Sequence, residues 1–453
     1  MRLVPDESET IFGAAQALKQ GQATSEALVE RCLARIEEWE SRVHAWVSVD
    51  RDGARLRARQ LDEECRAGRW RGPLHGIPLG IKDIIDMAGL PTGAGSERMA
   101  ATVAAADATI VRKLREAGAI LLGKTVTTQF ACFDPPPTRN PWNIDRTPGG
   151  SSSGSAAAVA TGMCLGAIGS QTGGSITRPA AYCGVAGCKP SYGRVSLAGI
   201  VPLAPSFDHP GPIARCVGDL ALLLDAISGH DPADPHSAKS NPAPLDWFPA
   251  APRIAAPPKL ARLRGFFESA ASLPMRAAFE TALAQYRSRG AAMAEAELPP
   301  SFADVHRQHR LILQYELAAR HRARFQQDRD DYLPGVAALI EEGLGLSESA
   351  YGDARQHQAQ AWAEIETIFG EADVAVCPAA PGPAPDLSTT GDPAFNSPWS
   401  YTGLPTVSFP IGLSEDGLPL GIQLVGRRFD ERRLFEAASW CETGGNEWLV
   451  ASG

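Results

Sequence analysis

Hydrophobic residues recur at helical spacing near the start of the chain, where Leu28, Cys32 and Ile36 lie on one face of a polar segment. Thr24 or Ser25 can cap this segment, because both side chains can accept a hydrogen bond from a free backbone amide. The pattern predicts an amphipathic helix with one face packed on a core.

The pattern then alternates between helix and strand. A second polar helix is predicted over residues 51–66, and residues 76–89 predict a buried strand that ends in a loop. Asp107 is a candidate N-cap for the helix ATIVRKLREAG, and the apolar run AILLGKT after it predicts another strand. Strand, helix and strand in this order are typical of an α/β fold.

The second half of the chain returns to the α/β pattern after a helical stretch. Residues 229–260 form a proline-rich connection, and helical spacing occupies about 274–290 and 303–367. Strand patterns return in ADVAVCPAA, TVSFPIG and LGIQLVG, and Asp430 can cap a last helix. We therefore expect a sheet built from both ends of the chain, with a helical insert over about 229–370 as a lobe or cover.

The composition is that of an ordinary globular protein and argues against several functions. The 453 residues are 44% hydrophobic and 21% charged, with a formal net charge of −9. Without a basic stripe we expect no nucleic-acid partner. Nine scattered cysteines without a Cys-x-x-Cys pair indicate a reducing compartment. Because no signal peptide or long apolar run is visible, we expect a cytoplasmic protein without a membrane span.

The stretch with the most chemical character is rich in glycine and serine and spans residues 147–196. It is not a P-loop, because no lysine follows its glycines at the required place. Glycine lets successive backbone amides converge on one point, as an oxyanion requires. The segment QTGGS, which ends at Ser175, could supply such donors, each typically worth about 10²–10³-fold in rate. Ser175 is therefore a candidate nucleophile for acyl transfer.

A nucleophilic serine needs a base, and two kinds of candidate are present. His75 and His209 lie in turn segments, and neither belongs to a suggestive His-Asp pair. Lys82 lies on the otherwise apolar strand IPLGIK, where it either reaches solvent or is buried and kept neutral. Asp83 should point to the opposite face of that strand, which would leave Lys82 unpaired.

Several blocks of sequence together resemble the amidase signature family. They are GPLHGIPLGIKDIIDMAGLPTGAGS, TPGGSSSGSAAAVA and GSQTGGSITRPAAYCGVAGCKPSYGRVS, with later similarity at DVAVCPAAPGPAP and NSPWSYTGLPTVSFPIG. The resemblance implies one large α/β domain over residues 1–453, with its core over 10–228 and 370–453. It further implies a central mixed β-sheet covered by helices on both faces.

The resemblance also implies roles for matching residues. The family lysine falls on Lys82, the relay serine that follows a cis peptide bond falls on Ser151, and the nucleophile falls on Ser175. No metal or organic cofactor is implied. The oxyanion donors would be the backbone amides of Thr172, Gly173, Gly174 and Ser175.

Two positions beside Ser175 depart from the common family pattern. Gln171 stands where the family often has Asp, and Arg178 lies one place further along than the usual arginine. This variant is similar to a subgroup that includes malonamidase, in which an arginine three residues after the nucleophile binds a substrate carboxylate. Arg178 either does the same or is a structural arginine that bonds carbonyls at the Pro179 turn.

These observations predict a stand-alone amidase that hydrolyses a small carboxylic amide to the acid and ammonia or an amine through an acyl-serine. The alternative is a glutaminase (A-type) subunit of a tRNA-dependent amidotransferase, against which Gln171 and the unlike insert argue. A non-catalytic binding module is a third hypothesis, against which the presence of all three reactive side chains argues. The expected partner is a small amide, and a homodimer is compatible with the sequence.

Two weaker signals have ordinary explanations. His306 and His309 have the spacing of metal ligands, but on an Arg- and Gln-rich helix without a third ligand we expect a solvated face. Phe130, Phe133 and Trp142 flank the active loop, and we assign them to the core ahead of a substrate pocket.

Overall fold

A computed structural model describes residues 2–239, 243–248 and 256–451, so part of the predicted proline-rich connection lies outside the described residues. The strands are β1 (Trp46–Val49), β2 (Pro78–Lys82), β3 (Ile120–Thr125), β4 (Gly166–Gln171), β5 (Ala186–Lys189), β6 (His209–Ala214), β7 (Lys259–Leu263), β8 (Ala292–Ala296), β9 (Val374–Pro378), β10 (Thr406–Leu413) and β11 (Pro419–Val425). The helices are α1 (Ile11–Lys19), α2 (Ser25–Val43), α3 (Arg51–Arg66), α4 (Thr109–Glu116), α5 (Ser153–Ala160), α6 (Thr177–Cys183), α7 (Val217–Ile227), α8 (Phe266–Ser269), α9 (Leu273–Ser288), α10 (Val305–Gln327), α11 (Pro334–Leu344), α12 (Glu348–Glu364), α13 (Ser397–Tyr401) and α14 (Glu431–Ala451).

The order of the strands brings the two strands that carry candidate residues side by side. Eleven strands form one sheet in the order β1-β3-β2-β4-β6-β5-β10-β11-β9-β7-β8. β2 is parallel to both β3 and β4, whereas β4 and β6 are antiparallel, so the sheet is mixed as predicted. Because parallel neighbours end at the same edge, the residues at the ends of β2 and β4 meet there.

Both faces of the sheet are buried. Along β3, Leu121 enters one hydrophobic core and its neighbours Ile120 and Leu122 enter another, because successive strand residues point to opposite faces. The smaller core is closed by α2, α3 and α5, and the larger one includes α1, α4, α7 and helices of the second half. The prediction of helices on both faces is confirmed.

Most of the helices and strands predicted from the pattern are present. α2 is capped by Thr24, whose side chain accepts a hydrogen bond from the Ala27 amide, and α3 has the predicted bounds. The predicted Asp107 cap is wrong, because the N-cap of α4 is Ala108. Asp107 instead accepts a hydrogen bond from the Ala88 amide, which fixes the preceding loop.

The stretch after residue 229 contains strands as well as the predicted helices. β7 and β8 extend the sheet beyond β9, although their short, alanine-containing sequences KLARL and AMAEA carry too little alternation to predict strands. α10 buries one side, which includes His309, Leu313, Leu317 and Phe325. None of the described helices is long and apolar enough to cross a membrane.

Candidate active site

Lys82 is the last residue of β2, and its side chain is fully buried. Its Nζ donates to Ser151 Oγ at 2.7 Å and to Ser170 Oγ at 2.8 Å. Ser170 belongs to the adjacent parallel strand β4, so the register of the two strands brings these groups together. Burial lowers the pKa of Lys82 from 10.5 to about 7, so a neutral amine is accessible near neutral pH.

Two carboxylates lie near Lys82, and neither is ion-paired with it. Asp83 points away and pairs with Lys124 at 2.9 Å, as the alternation of strand residues predicts. Asp208 accepts a hydrogen bond from Thr172 Oγ1 at 2.6 Å, and its charge raises the pKa of Lys82 by less than burial lowers it. Asp208 was not predicted, because it is distant from Lys82 in sequence and lies in an ordinary turn.

Ser151 follows a tight glycine turn that leads into α5. The Gly150–Ser151 peptide bond is cis, as the resemblance implies. Gly149 has a φ of 80°, and a Cβ there would lie 2.8 Å from Pro179 Cα, so only glycine fits without strain. Ser153 Oγ donates to the Gly149 carbonyl at 2.6 Å and fixes the turn.

The loop of residues 172–175 directly follows β4 and presents its peptide groups in a regular way. Within the part of the chain that the structure describes, its four backbone amides have no hydrogen-bond acceptor. Carbonyls along it are tethered, and because C=O and N–H of a trans peptide point in opposite directions, the amides face away from the tethers. The tethers are His209 Nδ1 to Gln171 O at 3.3 Å, His309 Nε2 to Thr172 O at 2.9 Å, Ser400 Oγ to Gly173 O at 3.0 Å and Arg178 N to Gly174 O at 3.0 Å.

Ser175 is the most accessible of the three predicted reactive residues. Its exposed fraction is 7%, whereas that of Lys82 and of Ser151 is 0%. The Ser152 amide donates to the Ser175 carbonyl at 3.2 Å, which ties the loop to the turn that carries Ser151. Among the described residues no hydrogen bond joins the two hydroxyls, so the direct contact in the site is the one between Lys82 and Ser151.

Gln171 acts as a cap for the short helix α6. Its Oε1 accepts hydrogen bonds from the backbone amides of Ile176 and Thr177 at 2.9 and 3.0 Å and from Thr177 Oγ1 at 3.1 Å. Its Nε2 donates to Ser400 Oγ at 3.4 Å. A neutral amide thus satisfies the donors at this position, and its own N–H group reaches a second element that a carboxylate could not bind as donor.

Arg178 is buried, with its guanidinium half satisfied. Nη2 donates to the Gly150 carbonyl at 2.7 Å and more weakly to Thr390 Oγ1 at 3.4 Å. Nε and Nη1 have no partner among the described residues. Burial lowers the pKa of Arg178. One side of the group therefore serves the structure, and the other side has donors left for a carboxylate.

The two histidines of α10 do not lie on a solvated face, so that expectation is wrong. His309 is buried against the Thr172 carbonyl, and His306 is half-buried, with its Nε2 2.8 Å from the Ala394 carbonyl. The Arg and Gln residues around them occupy the other sides of α10. No three His, Cys, Asp or Glu side chains of the described residues are grouped to hold a metal ion.

The aromatic residues before the glycine turn contribute mainly to packing. Phe130 is in the core, as predicted, and its ring contacts those of His321 and Tyr332 at 4.6 and 5.2 Å between centroids. Phe133 and Trp142 are half-buried. They therefore do not form a continuous aromatic pocket wall with Phe130.

Comparison with known proteins agrees with this arrangement. Residues 27–435 match the family model described as Amidase. The A-type subunit of the glutamyl-tRNA(Gln) amidotransferase of Anaeromyxobacter sp. (strain K) is 38% identical over 463 residues, which cover 92% of each chain. The peptide amidase from Stenotrophomonas maltophilia is 32% identical with a TM-score of 0.86, covering 96% of this chain and 97% of that chain. A chain from a vestigial protein complex that bears on the origins of an s-triazine catabolic enzyme is 29% identical with a TM-score of 0.90, covering 96% and 98%.

The matched region includes every candidate residue of the site, from Lys82 to Arg178. The relatives include hydrolases of amides and one component of an amidotransferase, which share the cleavage of an amide C–N bond. The resemblance seen in the sequence motifs is therefore confirmed. The chain belongs to the amidase family, and it is an enzyme that acts on amide C–N bonds.

Proposed function

We propose that the chain hydrolyses amides through an acyl-enzyme formed on Ser175, with Ser151 as the relay and Lys82 as the base. The observation that carries this proposal is the 2.7 Å contact between Lys82 Nζ and Ser151 Oγ. Burial gives the lysine a pKa of about 7, which suits a group that must accept and return a proton near neutral pH.

Each step of this mechanism balances its protons. In acylation, neutral Lys82 takes the Ser151 proton while Ser151 takes the Ser175 proton, and Ser175 Oγ attacks the amide carbonyl. The C–N bond then breaks, and the relay returns a proton to the leaving nitrogen, so ammonia or an amine departs. Water attacks the ester and gives its proton to the relay, which restores Ser175 and releases the acid.

The proposed oxyanion donors are the backbone amides of residues 172–175. Their support is that they are unpaired within the described residues, while the carbonyls on the other side of the loop are tethered. Amides that are fixed before the reaction stabilise developing negative charge without reorganisation. Removing one donor of this kind typically costs about 10²–10³-fold in rate.

Two substrate classes fit this chemistry, and different observations favour each. The curated relative is the A-type component of a glutamyl-tRNA(Gln) amidotransferase, and it supports a glutaminase subunit better than the stand-alone amidase. The likeness to peptide amidase and the two unpaired nitrogens of Arg178 favour a stand-alone amidase, which would include substrates that carry a carboxylate. Both classes lose ammonia from a primary amide.

We further propose that the stretch over about 229–370 is the variable lobe that shapes the substrate site. Its support is that this stretch resembles the family least, while its helix α10 reaches the loop of residues 172–175 through His309. The remaining parts, over 10–228 and 370–453, would form the core that carries the chemistry.

The test is ammonia release by the purified full chain from glutamine, short neutral amides, carboxylated amides and peptide amides, beside Ser175→Ala. Release from several amides by the chain alone supports the stand-alone amidase. Release from glutamine only, with stimulation by an added partner protein of an amidotransferase, supports the glutaminase role. A folded protein that releases no ammonia and forms no Ser175 adduct with a fluorophosphonate contradicts the proposal and favours a binding module.

A further inference from the structure

One tether of the loop of residues 172–175 comes from a helix that sequence motifs do not connect with catalysis. His309 lies on α10, and its Nε2 is 2.9 Å from the Thr172 carbonyl oxygen. A carbonyl can only accept, so Nε2 carries the hydrogen in this bond. The bond joins residues that are 137 positions apart in the chain.

The surroundings of His309 favour a neutral ring in a fixed position. Its ring stacks on that of Phe207, with centroids 4.6 Å apart, and its exposed fraction is 6%. Burial lowers the pKa of His309 to about 4. Its Cε1 also lies 3.8 Å from the place that a Cβ of residue 173 would occupy. The imidazole therefore packs directly against the Thr172–Gly173 peptide.

Tethering a carbonyl fixes the amide of the same peptide unit. Thr172 C=O and Gly173 N–H belong to one plane and point in opposite directions, so a donor on the oxygen prevents rotation of that plane. It also polarises the N–H bond, because hydrogen bonds at the two ends of an amide strengthen each other. Ser400 Oγ makes the equivalent bond to the Gly173 carbonyl at 3.0 Å, which belongs to the next peptide.

We propose that His309 is a positioning residue for amide hydrolysis, whose Nε2–H holds the Thr172–Gly173 peptide so that the Gly173 amide donates to the developing oxyanion. Ser400 holds the next peptide in the same way for the Gly174 amide. This inference rests on the proposed acyl-serine mechanism and adds to it two residues that touch neither the substrate nor the reacting atoms.

The same helix offers a matched control. His306 Nε2 also bonds a carbonyl, that of Ala394, at 2.8 Å, and it lies one turn before His309. Its partner does not belong to the loop of residues 172–175. His306→Phe thus removes a comparable bond and leaves the proposed positioning device intact.

The experiment measures kcat and KM for an amide substrate, together with the rate of Ser175 labelling by a fluorophosphonate. His309→Phe keeps a ring on Phe207 but has no donor, and we expect kcat and the labelling rate to fall about tenfold, as for one net hydrogen bond. KM should stay within about twofold, since the bond matters most when charge develops. His309→Gln, whose amide N–H can reach the same carbonyl, should recover most of the loss, and Ser400→Ala should lose kcat as His309→Phe does.

The controls separate failure of this inference from failure of the proposed mechanism. Wild-type protein that is folded but neither labelled nor active overturns the mechanism, and the inference falls with it. Wild-type labelling combined with unchanged kcat in His309→Phe and Ser400→Ala overturns the inference alone, as does an equal loss in His306→Phe. If His309→Phe gives no cooperative thermal transition, kcat and KM of Ser400→Ala and His309→Gln decide the matter.

Discussion

Lys82 Nζ and Ser170 Oγ lie 2.8 Å apart on two neighbouring parallel strands, and the register of those strands fixes the distance. Together with Ser151, Ser170 gives the amine two hydroxyl partners in a buried site. Hydroxyls can accept from an ammonium or donate to an amine, so they serve both protonation states of Lys82. A carboxylate partner would instead have stabilised the ammonium and opposed its function as a base.

The rate of Ser175 acylation should depend on the protonation state of Lys82. Because the pKa of this lysine is about 7 and only its neutral form accepts a proton, the rate should fall about tenfold per pH unit at lower pH and level off above pH 8. Fluorophosphonate labelling followed from about pH 5.5 to 9 would measure this dependence. A labelling rate that is constant over that range, with the protein folded throughout, would contradict Lys82 as the base.

The buried lysine should also leave a signature in stability. Folding lowers the pKa of Lys82 from 10.5 to about 7, so between these values the unfolded chain holds a proton that the folded chain has released. Stability from this group therefore rises with pH through that window, with a limiting slope of about 1.4 kcal/mol per pH unit.

Lys82→Met has no such group, so the stability of the wild type relative to this variant should increase from pH 7 to about pH 9 in urea unfolding. Lys19→Met changes an exposed lysine and should run parallel to the wild type. Parallel stability curves for Lys82→Met and the wild type would refute the shifted pKa.

Asp208 should set the position of the acid limb of the rate profile. Its charge favours the ammonium form of Lys82, so Asp208→Asn should move the limb to lower pH by about half a unit, while the amide oxygen still accepts from Thr172 Oγ1. Asp134→Asn is the matched control, because Asp134 also accepts two backbone amides, those of Gly335 and Val336. A shift of the limb in the control, or none in Asp208→Asn, would count against this role.

The turn before Ser151 should not tolerate a side chain. Gly149→Ala combines a φ of 80° with a Cβ 2.8 Å from Pro179 Cα, so we expect a loss of stability of about 2–4 kcal/mol together with loss of activity. Gly417→Ala has a similar φ of 73° but no atom of the described residues within 4 Å of the new Cβ. It should therefore lose only the backbone cost of about 1–2 kcal/mol in urea unfolding. Equal losses in the two variants would show that the contact with Pro179 does not matter.

Arg178 should discriminate between charged and neutral amides if its two unpaired nitrogens bind a carboxylate. Arg178→Ala should then raise KM for a carboxylated amide by about 10–100-fold, as expected for a lost charge-assisted hydrogen bond. Any loss of kcat from the broken bond to the Gly150 carbonyl should be common to both kinds of substrate. An equal change of KM for a neutral amide would identify Arg178 as purely structural.

Local patterns were sufficient to predict the elements that carry the proposed chemistry. The apolar strand that ends at Lys82 and the glycine-rich turns around Ser151 and Ser175 are local features, and β2 and β4 lie where those features indicate. The outward direction of Asp83 also followed from strand alternation alone. Roles within the site remain proposals, because geometry gives contacts and not rates.

The features that the sequence pattern missed depend on contacts between distant segments. His309 lies among arginines and glutamines that suggest solvent, and only the packing of α10 places it on the Thr172 carbonyl. Asp208 and Ser400 meet the same loop from other parts of the chain. β7 and β8 form because β9 offers them an edge, whereas their own residues carry little strand preference.

The tethers of the loop of residues 172–175 also bear on the order in which the protein is made. Lys82, Ser151 and Ser175 are synthesised early, whereas His309 and Ser400 leave the ribosome much later. A nascent chain that ends before residue 309 therefore holds every reacting side chain but lacks two of the bonds that hold the loop. Hydrolytic competence would then arise only when the polypeptide is nearly complete, which makes activity a late reporter of folding and spares the cell a half-made hydrolase.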